Sequence, residues 1–270
     1  AVDEPEPVAD AINGSQPAAQ PERIASESDV AAPEPAARAV EVAEPTGAQT
    51  RLAMVRGIND MFAGTAPTDD LLPESPYDGS PVGRVAKGGT VEAQRAVDAA
   101  ARAMEDPLPA YERAAILDRT AHLVDERSEE IARTISSEAG KPMKAARVEV
   151  ARATSTFTMA AVEARKLAGD VVPMDASPAG AGKFAATLRL PIGVVGAISP
   201  FNFPFNLVAH KVAPALAAGC AVVLKPASKT PLSALLLAEL ETEAGLPAGW
   251  LNVVCGSASE IGDVLVEDER

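Results

Sequence analysis

An asparagine pinned between prolines can do chemistry that a mobile one cannot. In Ser199-Pro200-Phe201-Asn202-Phe203-Pro204 the two prolines stiffen the backbone on either side and hold Asn202 in a fixed place. Its amide is neutral and could donate to an oxygen that turns negative when a carbonyl is attacked, a task that needs a preorganised donor. The same asparagine could instead cap the following helix or satisfy its own turn, and motif chemistry alone leaves both open. Lys225-Pro226-Ala227-Ser228 offers an ammonium and a hydroxyl that could reach a ribose hydroxyl or a phosphate, or could simply meet water. Gly256-Ser257-Ala258-Ser259-Glu260-Ile261-Gly262 sets two glycines around a helix start, permitting close helix–strand packing and outward-pointing amides suited to phosphate. Ala258 stands where a dinucleotide fingerprint has its middle glycine, so this signal is weak alone.

Each of the three segments follows an apolar run. Residues 193–198 (GVVGAI), 221–225 (AVVLK) and 251–255 (LNVVC) predict buried strands. Between them lie an apolar helix over 205–218, closed by Gly219, and a second from Thr230-Pro231 to Ala244 with a cap residue and a proline at its first position. Ser257 and Glu260 predict a capping box for a last helix. Alternating strands and helices with near-continuous Val/Ile/Leu strands predict an α/β fold, a parallel sheet covered on both faces. Ligands of such sheets bind past the carboxyl ends of the strands, where all three segments fall.

Upstream, residues 184–190 (FAATLRL) predict a strand and three helical runs precede it. The first starts at Thr90 as N-cap, with Ala93, Ala96, Val97, Ala100 and Met104 on one stripe and Gln94 and Asp98 towards water. The second spans 110–139 and ends at Gly140-Lys141-Pro142; His122, beside its apolar stripe, reads as a structural or surface histidine. The third runs from Met143 to about Leu167.

Composition narrows the function classes. The 270 residues carry 38 acidic and 24 basic side chains, a net charge of -14, and residues 1–50 alone hold 10 Asp/Glu against 2 Arg. This field opposes binding to a phosphate backbone, so nucleic acid is not expected as a partner. Residues 1–48 contain seven prolines and no aromatic, which predicts a disordered acidic tail. No apolar stretch is long enough to span a membrane, which with the absence of a signal pattern makes a cytoplasmic location the expectation. Cys220 and Cys255 show neither disulfide-framework nor metal-ligand spacing and read as buried apolar residues, with no metal site expected.

Taken together the segments are far more specific. GVVGAISPFNFPFNLVAHKVAPALAAGCAVVLK (193–225), the following PASKTPLSALLLAEL, EAGLPAGWLNVVCG, and the earlier SPYDGSPVGRV and SSEAGKP resemble the aldehyde dehydrogenase superfamily over roughly residues 75–268. The resemblance implies NAD(P)-dependent oxidation of a small aldehyde to an acid, through a thiohemiacetal and a thioester on a catalytic cysteine. It puts the family's oxyanion-stabilising asparagine at Asn202 and its structural or relay lysine at Lys211. Ser199, Pro200, Phe201, Lys225, Ala227 and Ser228 fall on the cofactor side, with Lys225 at the adenosine ribose; Gly256, Ser259 and Gly262 fall beside the diphosphate. Homodimers or homotetramers are the family's habit. Phe203 and Phe205 hint at an apolar access channel.

Two departures shape the expectations. Where NAD-preferring members often carry a ribose-binding glutamate, this chain has Ser228, so preference leans towards NADP. The chain also stops at Arg270, before the family's Phe-Thr-Gly-Ser turn, general-base glutamate and nucleophilic cysteine. It therefore reads as a disordered tail (1–48), a helical part (49–190) and the first part of a dinucleotide-binding sheet (191–270), inactive alone. A coenzyme A-acylating dehydrogenase would share this first half, and a noncatalytic truncated derivative with an assembly role is the alternative from another class.

Overall fold

The computed structural model describes residues 70–270. The expected tail over 1–48 lies outside the described residues, as do residues 49–69 of the expected helical part. Strands β1 (Asp70–Leu71) and β2 (Val85–Ala86) pair antiparallel across the turn at Ser75-Pro76 and Asp78-Gly79. Four helices follow: α1 (Thr90–Ala103), α2 (Ala110–Glu126), α3 (Ser128–Ala139) and α4 (Met143–Lys166).

Helix α1 buries the expected stripe of Ala93, Ala96, Val97 and Ala100, but its N-cap is Gly89 rather than Thr90. The Glu92 carboxylate reaches back to accept the Gly89 N–H at 2.8 Å, the carboxylate half of a capping box, and no side chain caps the first-turn amides. The single helix expected over 110–139 is two, broken at Arg127 (φ -94°, ψ 19°). No glycine or proline marks that break. Instead the Arg127 guanidinium bonds Glu130 at 2.9 Å and reaches Glu239 at 2.9 Å and Glu243 at 3.3 Å, so long-range pairing sets the bend. Gly140 then ends α3 in the left-handed region at φ 64°, as expected of a helix-terminating glycine. His122 is a surface residue pairing with Glu126 one turn on.

The strand expected over 184–190 shrinks to β4 (Ala185–Ala186), antiparallel to β3 (Val171–Val172). Phe184, Leu188 and Leu190 stay exposed, because among the described residues the partner strand is only two residues long.

Beyond it the chain alternates β5 (Val195–Ile198), α5 (Asn206–Ala217), β6 (Val222–Lys225), α6 (Leu232–Glu243), β7 (Leu251–Val253) and α7 (Ala258–Glu267). The three strands are parallel in the order β5-β6-β7, with Ile198 opposite Lys225 and Val222 opposite Leu251. All four residues of β6 are buried, so both faces of the central strand are covered, as an α/β sheet requires. Strand β5 departs from the expected buried run: only Ala197 is buried and Ile198 is 49% exposed, whereas β7, the other edge among the described residues, is covered by α1.

Helix α4 packs on α2, α3 and α5 through Ala146, Val150, Ala153, Phe157 and Ala160, while α1 lies against β6, β7 and α7. Helical and sheet residues share one continuous apolar core. The sheet helices are capped from outside. Thr230, the expected cap of α6, has a buried hydroxyl without a hydrogen-bond partner. The Leu232 and Ser233 N–H groups donate instead to the Glu138 carboxylate of α3, at 2.8 and 2.9 Å, and Pro231 occupies the cap position. Ser257 does stand at the N-cap of α7, but the expected box with Glu260 does not form; the Ser257 hydroxyl shares a hydrogen bond with Ser259 at 2.8 Å.

Candidate active site

The loops after β5, β6 and β7 leave the sheet at one edge. The Ser199 N–H donates to the Lys225 carbonyl at 3.1 Å, so the Asn202 turn and the Lys225 loop depart side by side. The Ser228 hydroxyl donates to the Gly256 carbonyl at 2.9 Å, joining the third segment to the second. A Cβ at Gly256 would sit 2.0 Å from the Gly88 carbonyl oxygen, and the Gly88 N–H donates to Cys255 at 2.7 Å. That crowding explains the glycine after β7. Gly262 differs from expectation: it is buried, yet no atom lies within 4 Å of where its Cβ would be, so the close approach belongs to Gly256. Ser259 lies exposed in the first turn of α7, Ala227 is half-buried, and Pro200 is exposed.

Asn202 is exposed in its turn, and α5 begins four residues later without a side-chain cap. The capping role open to Asn202 is taken by Glu149 of α4. Its Oε1 accepts the Phe205 N–H at 3.0 Å and the Asn206 N–H at 3.1 Å. Its Oε2 pairs with the Lys141 ammonium at 2.5 Å, and Lys141 also donates to the Asn202 carbonyl at 2.7 Å. The Lys141 Nζ stands 3.8 Å from the centre of the Phe203 ring, a cation–π contact. Glu149 is fully buried and Lys141 14% exposed, so removing either charge alone would cost about 3–5 kcal/mol. Phe205 is fully buried in the core and lines no channel, which removes it from the expected access path; Phe201 is 61% exposed.

Neither Lys141 nor Glu149 was expected at the site. The available signal is the register of Glu149: it falls on the apolar stripe of α4 with Ala146, Val150 and Ala153, where a carboxylate needs a buried partner.

Lys225 is buried at the end of β6, and burial lowers its pKa, with Cys255 opposing that shift. Its Nζ donates to the Pro226 carbonyl at 3.0 Å. Both cysteines are free and buried, and burial pushes the Cys255 thiol up to about 12, so it is held as an inert thiol. Lys211 lies half-buried in the middle of α5. An open groove between α1 and α7, with Ser259 on its wall, is lined also by Thr90, Gln94, Glu260, Asp263 and Glu267. Among the described residues, no helix is long and apolar enough to cross a membrane.

The Asn202 turn, Lys225 and the Gly256 helix start thus converge at the carboxyl edge of one parallel sheet. The model of the aldehyde dehydrogenase family matches residues 65–270, more than half of the chain. The chain belongs to the aldehyde dehydrogenase family. It is 41% identical over 212 residues to the 3-sulfolactaldehyde dehydrogenase of Priestia aryabhattai, covering 78% of this chain and 44% of the relative. The chain therefore spans less than half the length of the curated relatives it matches. Among solved structures, it is similar to the NADP-dependent glyceraldehyde-3-phosphate dehydrogenase of Bacillus halodurans complexed with NADP. The two are 38% identical with a TM-score of 0.72, covering 75% of this chain and 43% of that one. It also matches a NAD-dependent benzaldehyde dehydrogenase from Corynebacterium glutamicum, at 37% identity and a TM-score of 0.68, covering 74% and 43%. Aldehyde dehydrogenases similar to this chain thus include users of either nicotinamide cofactor.

The donors at the sheet edge fit such a dinucleotide. A buried ammonium that spends one hydrogen bond on a neighbouring carbonyl has donors left for a ribose or phosphate oxygen. The α7 start, whose Ser257 hydroxyl caps no amide, leaves N–H groups for the diphosphate.

Proposed function

We propose that the whole protein oxidises an aldehyde to a carboxylic acid with NAD(P), through a thiohemiacetal and then a thioester on a cysteine. The observation that carries this reading is the Asn202 turn, gripped by Lys141 and Glu149 and leaving the sheet beside Lys225. When the thiolate adds to the carbonyl carbon, the π electrons move to oxygen, and the Asn202 amide donates to that oxyanion. Collapse of the oxyanion expels hydride, and water then displaces the thiol from the thioester. The nicotinamide, when bound, supplies the hydride acceptor. Lys225 and Ser228 hold the adenosine ribose, while Gly256, Ser259 and Gly262 flank the diphosphate. Ser199, Pro200, Phe201 and Ala227 shape the walls between them, and Lys211 orients or relays from α5. Preference leans towards NADP, because Ser228 carries no charge to repel a 2′-phosphate. The protein works in the cytoplasm as a homo-oligomer.

Asn202→Ala tests the reading. The acylation step, followed in a single turnover, should slow about 10²- to 10³-fold, roughly 3–4 kcal/mol, because the donor is stronger in the transition state than in the ground state. Cofactor affinity should stay within about twofold. A loss of rate under about fivefold would make Asn202 a turn residue and nothing more.

A further inference from the structure

We infer that Lys141 and Glu149 act together as positioning residues that hold the Asn202 amide where the oxyanion forms. The inference rests on the reading of Asn202 given above. The prolines at 200 and 204 stiffen this turn but do not anchor it to the body of the molecule. The anchor is one ion pair. Lys141, in the turn between α3 and α4, donates to the Asn202 carbonyl at 2.7 Å and lies 3.8 Å from the Phe203 ring centre. Glu149, one face of α4 further on, accepts the N–H groups of Phe205 and Asn206 at 3.0 and 3.1 Å. The 2.5 Å contact between the two locks these grips to each other. Of the residues from 202 to 206, only Pro204 is outside their reach, and it is rigid by itself.

The chemistry of the pair suits the task. A compact ammonium with three donors can serve a carboxylate and a carbonyl at once while presenting its charge to a ring face. The Asn202 carbonyl and side chain share one Cα, so a carbonyl held in place fixes the point and direction from which the side chain leaves the backbone. Lys141 holds that carbonyl while the side-chain amide stays exposed for substrate. Arg152 also stands over the Phe203 ring, 5.8 Å from its centre, but among the described residues the Asn202 carbonyl is held by Lys141 and not by Arg152.

The test is a double-substitution cycle on the acylation step of the whole protein. Lys141→Met should slow acylation about tenfold, since small misplacement of a catalytic group is costly, with cofactor affinity unchanged within about twofold. On an Asn202→Ala background the same substitution should change the rate by less than about twofold, because its route of action is gone. An equal loss in both backgrounds, or none in either, would overturn the inference. Should Asn202→Ala alone leave acylation intact, the functional reading itself fails, an outcome read from that single variant. If Lys141→Met does not fold, Lys141→Met combined with Glu149→Gln removes the pair without stranding a charge and keeps an acceptor for the α5 amides; the same tenfold loss is expected. Backbone relaxation in the whole protein gives a readout apart from turnover. Order parameters at Asn202 and Phe203 should fall from about 0.85 to below about 0.6 in Lys141→Met, and unchanged values would overturn the positioning role.

Discussion

A hydroxyl and a carboxylate at position 228 make opposite demands on a 2′-phosphate. Ser228 is exposed, and its one proton is donated to the Gly256 carbonyl, which leaves its lone pairs to accept from a ribose hydroxyl. A glutamate there would accept from both ribose hydroxyls and repel a phosphate. Ser228→Glu should therefore shift preference towards NAD by about tenfold or more, equivalent to roughly 1.4 kcal/mol. Titrating both cofactors by protein fluorescence checks this; a ratio of dissociation constants that moves less than about twofold removes Ser228 from the site. The gathering of segments 199–202, 225–228 and 256–262 at one sheet edge was legible because each follows an apolar strand run and is marked by prolines, a strand-end lysine or glycines. Lys141 and Glu149 were not, because their partners stand some 60 residues away and no local rule pairs them.

At the scale of elements, carboxylates buried from neighbouring helices replace the local caps that the sequence suggests. Glu138 accepts the first amides of α6, and burial pushes its carboxyl up to about 7. Glu241 of α6 is buried against Thr120, and burial pushes it up to about 8. The Thr120 hydroxyl has one proton and lies 3.1 Å from the Ile116 carbonyl and 3.0 Å from Glu241, which a protonated Glu241 resolves by donating to the hydroxyl. Both folded-state pKa values stand above the ordinary 4.5, so the folded protein keeps protons that the unfolded chain releases. Stability should be fullest below about pH 4.5 for these groups and fall as pH rises towards about 8, by up to about 1.4 kcal/mol per pH unit for each. Denaturant unfolding of Glu241→Gln should show a flatter slope over that window than the wild type. An identical slope would mean that Glu241 is ionised in the fold. The break at Arg127 teaches the same lesson: helix propensity reads straight through it, and the ion pairs to Glu239 and Glu243 decide otherwise.

For the whole molecule, the α/β alternation was legible because β6 is a Val-Val-Leu run ended by Lys225, buried along its entire length, and helices with glycine stops flank it. Strand β5 misled in burial because a continuous apolar run looks the same at a sheet centre and at an edge. The proposed function requires that the carboxyl edge of this sheet receive a nicotinamide dinucleotide with Lys225 as its ribose anchor. Calorimetric titration of NADP and NAD into the whole protein and into Lys225→Met tests it most directly, since methionine keeps an unbranched buried stem without the terminal ammonium. Saturable binding of both cofactors is expected, with a loss of about tenfold or more for each on substitution, roughly 1.4 kcal/mol. Affinities within about twofold of the wild type, with the fold intact, would contradict it.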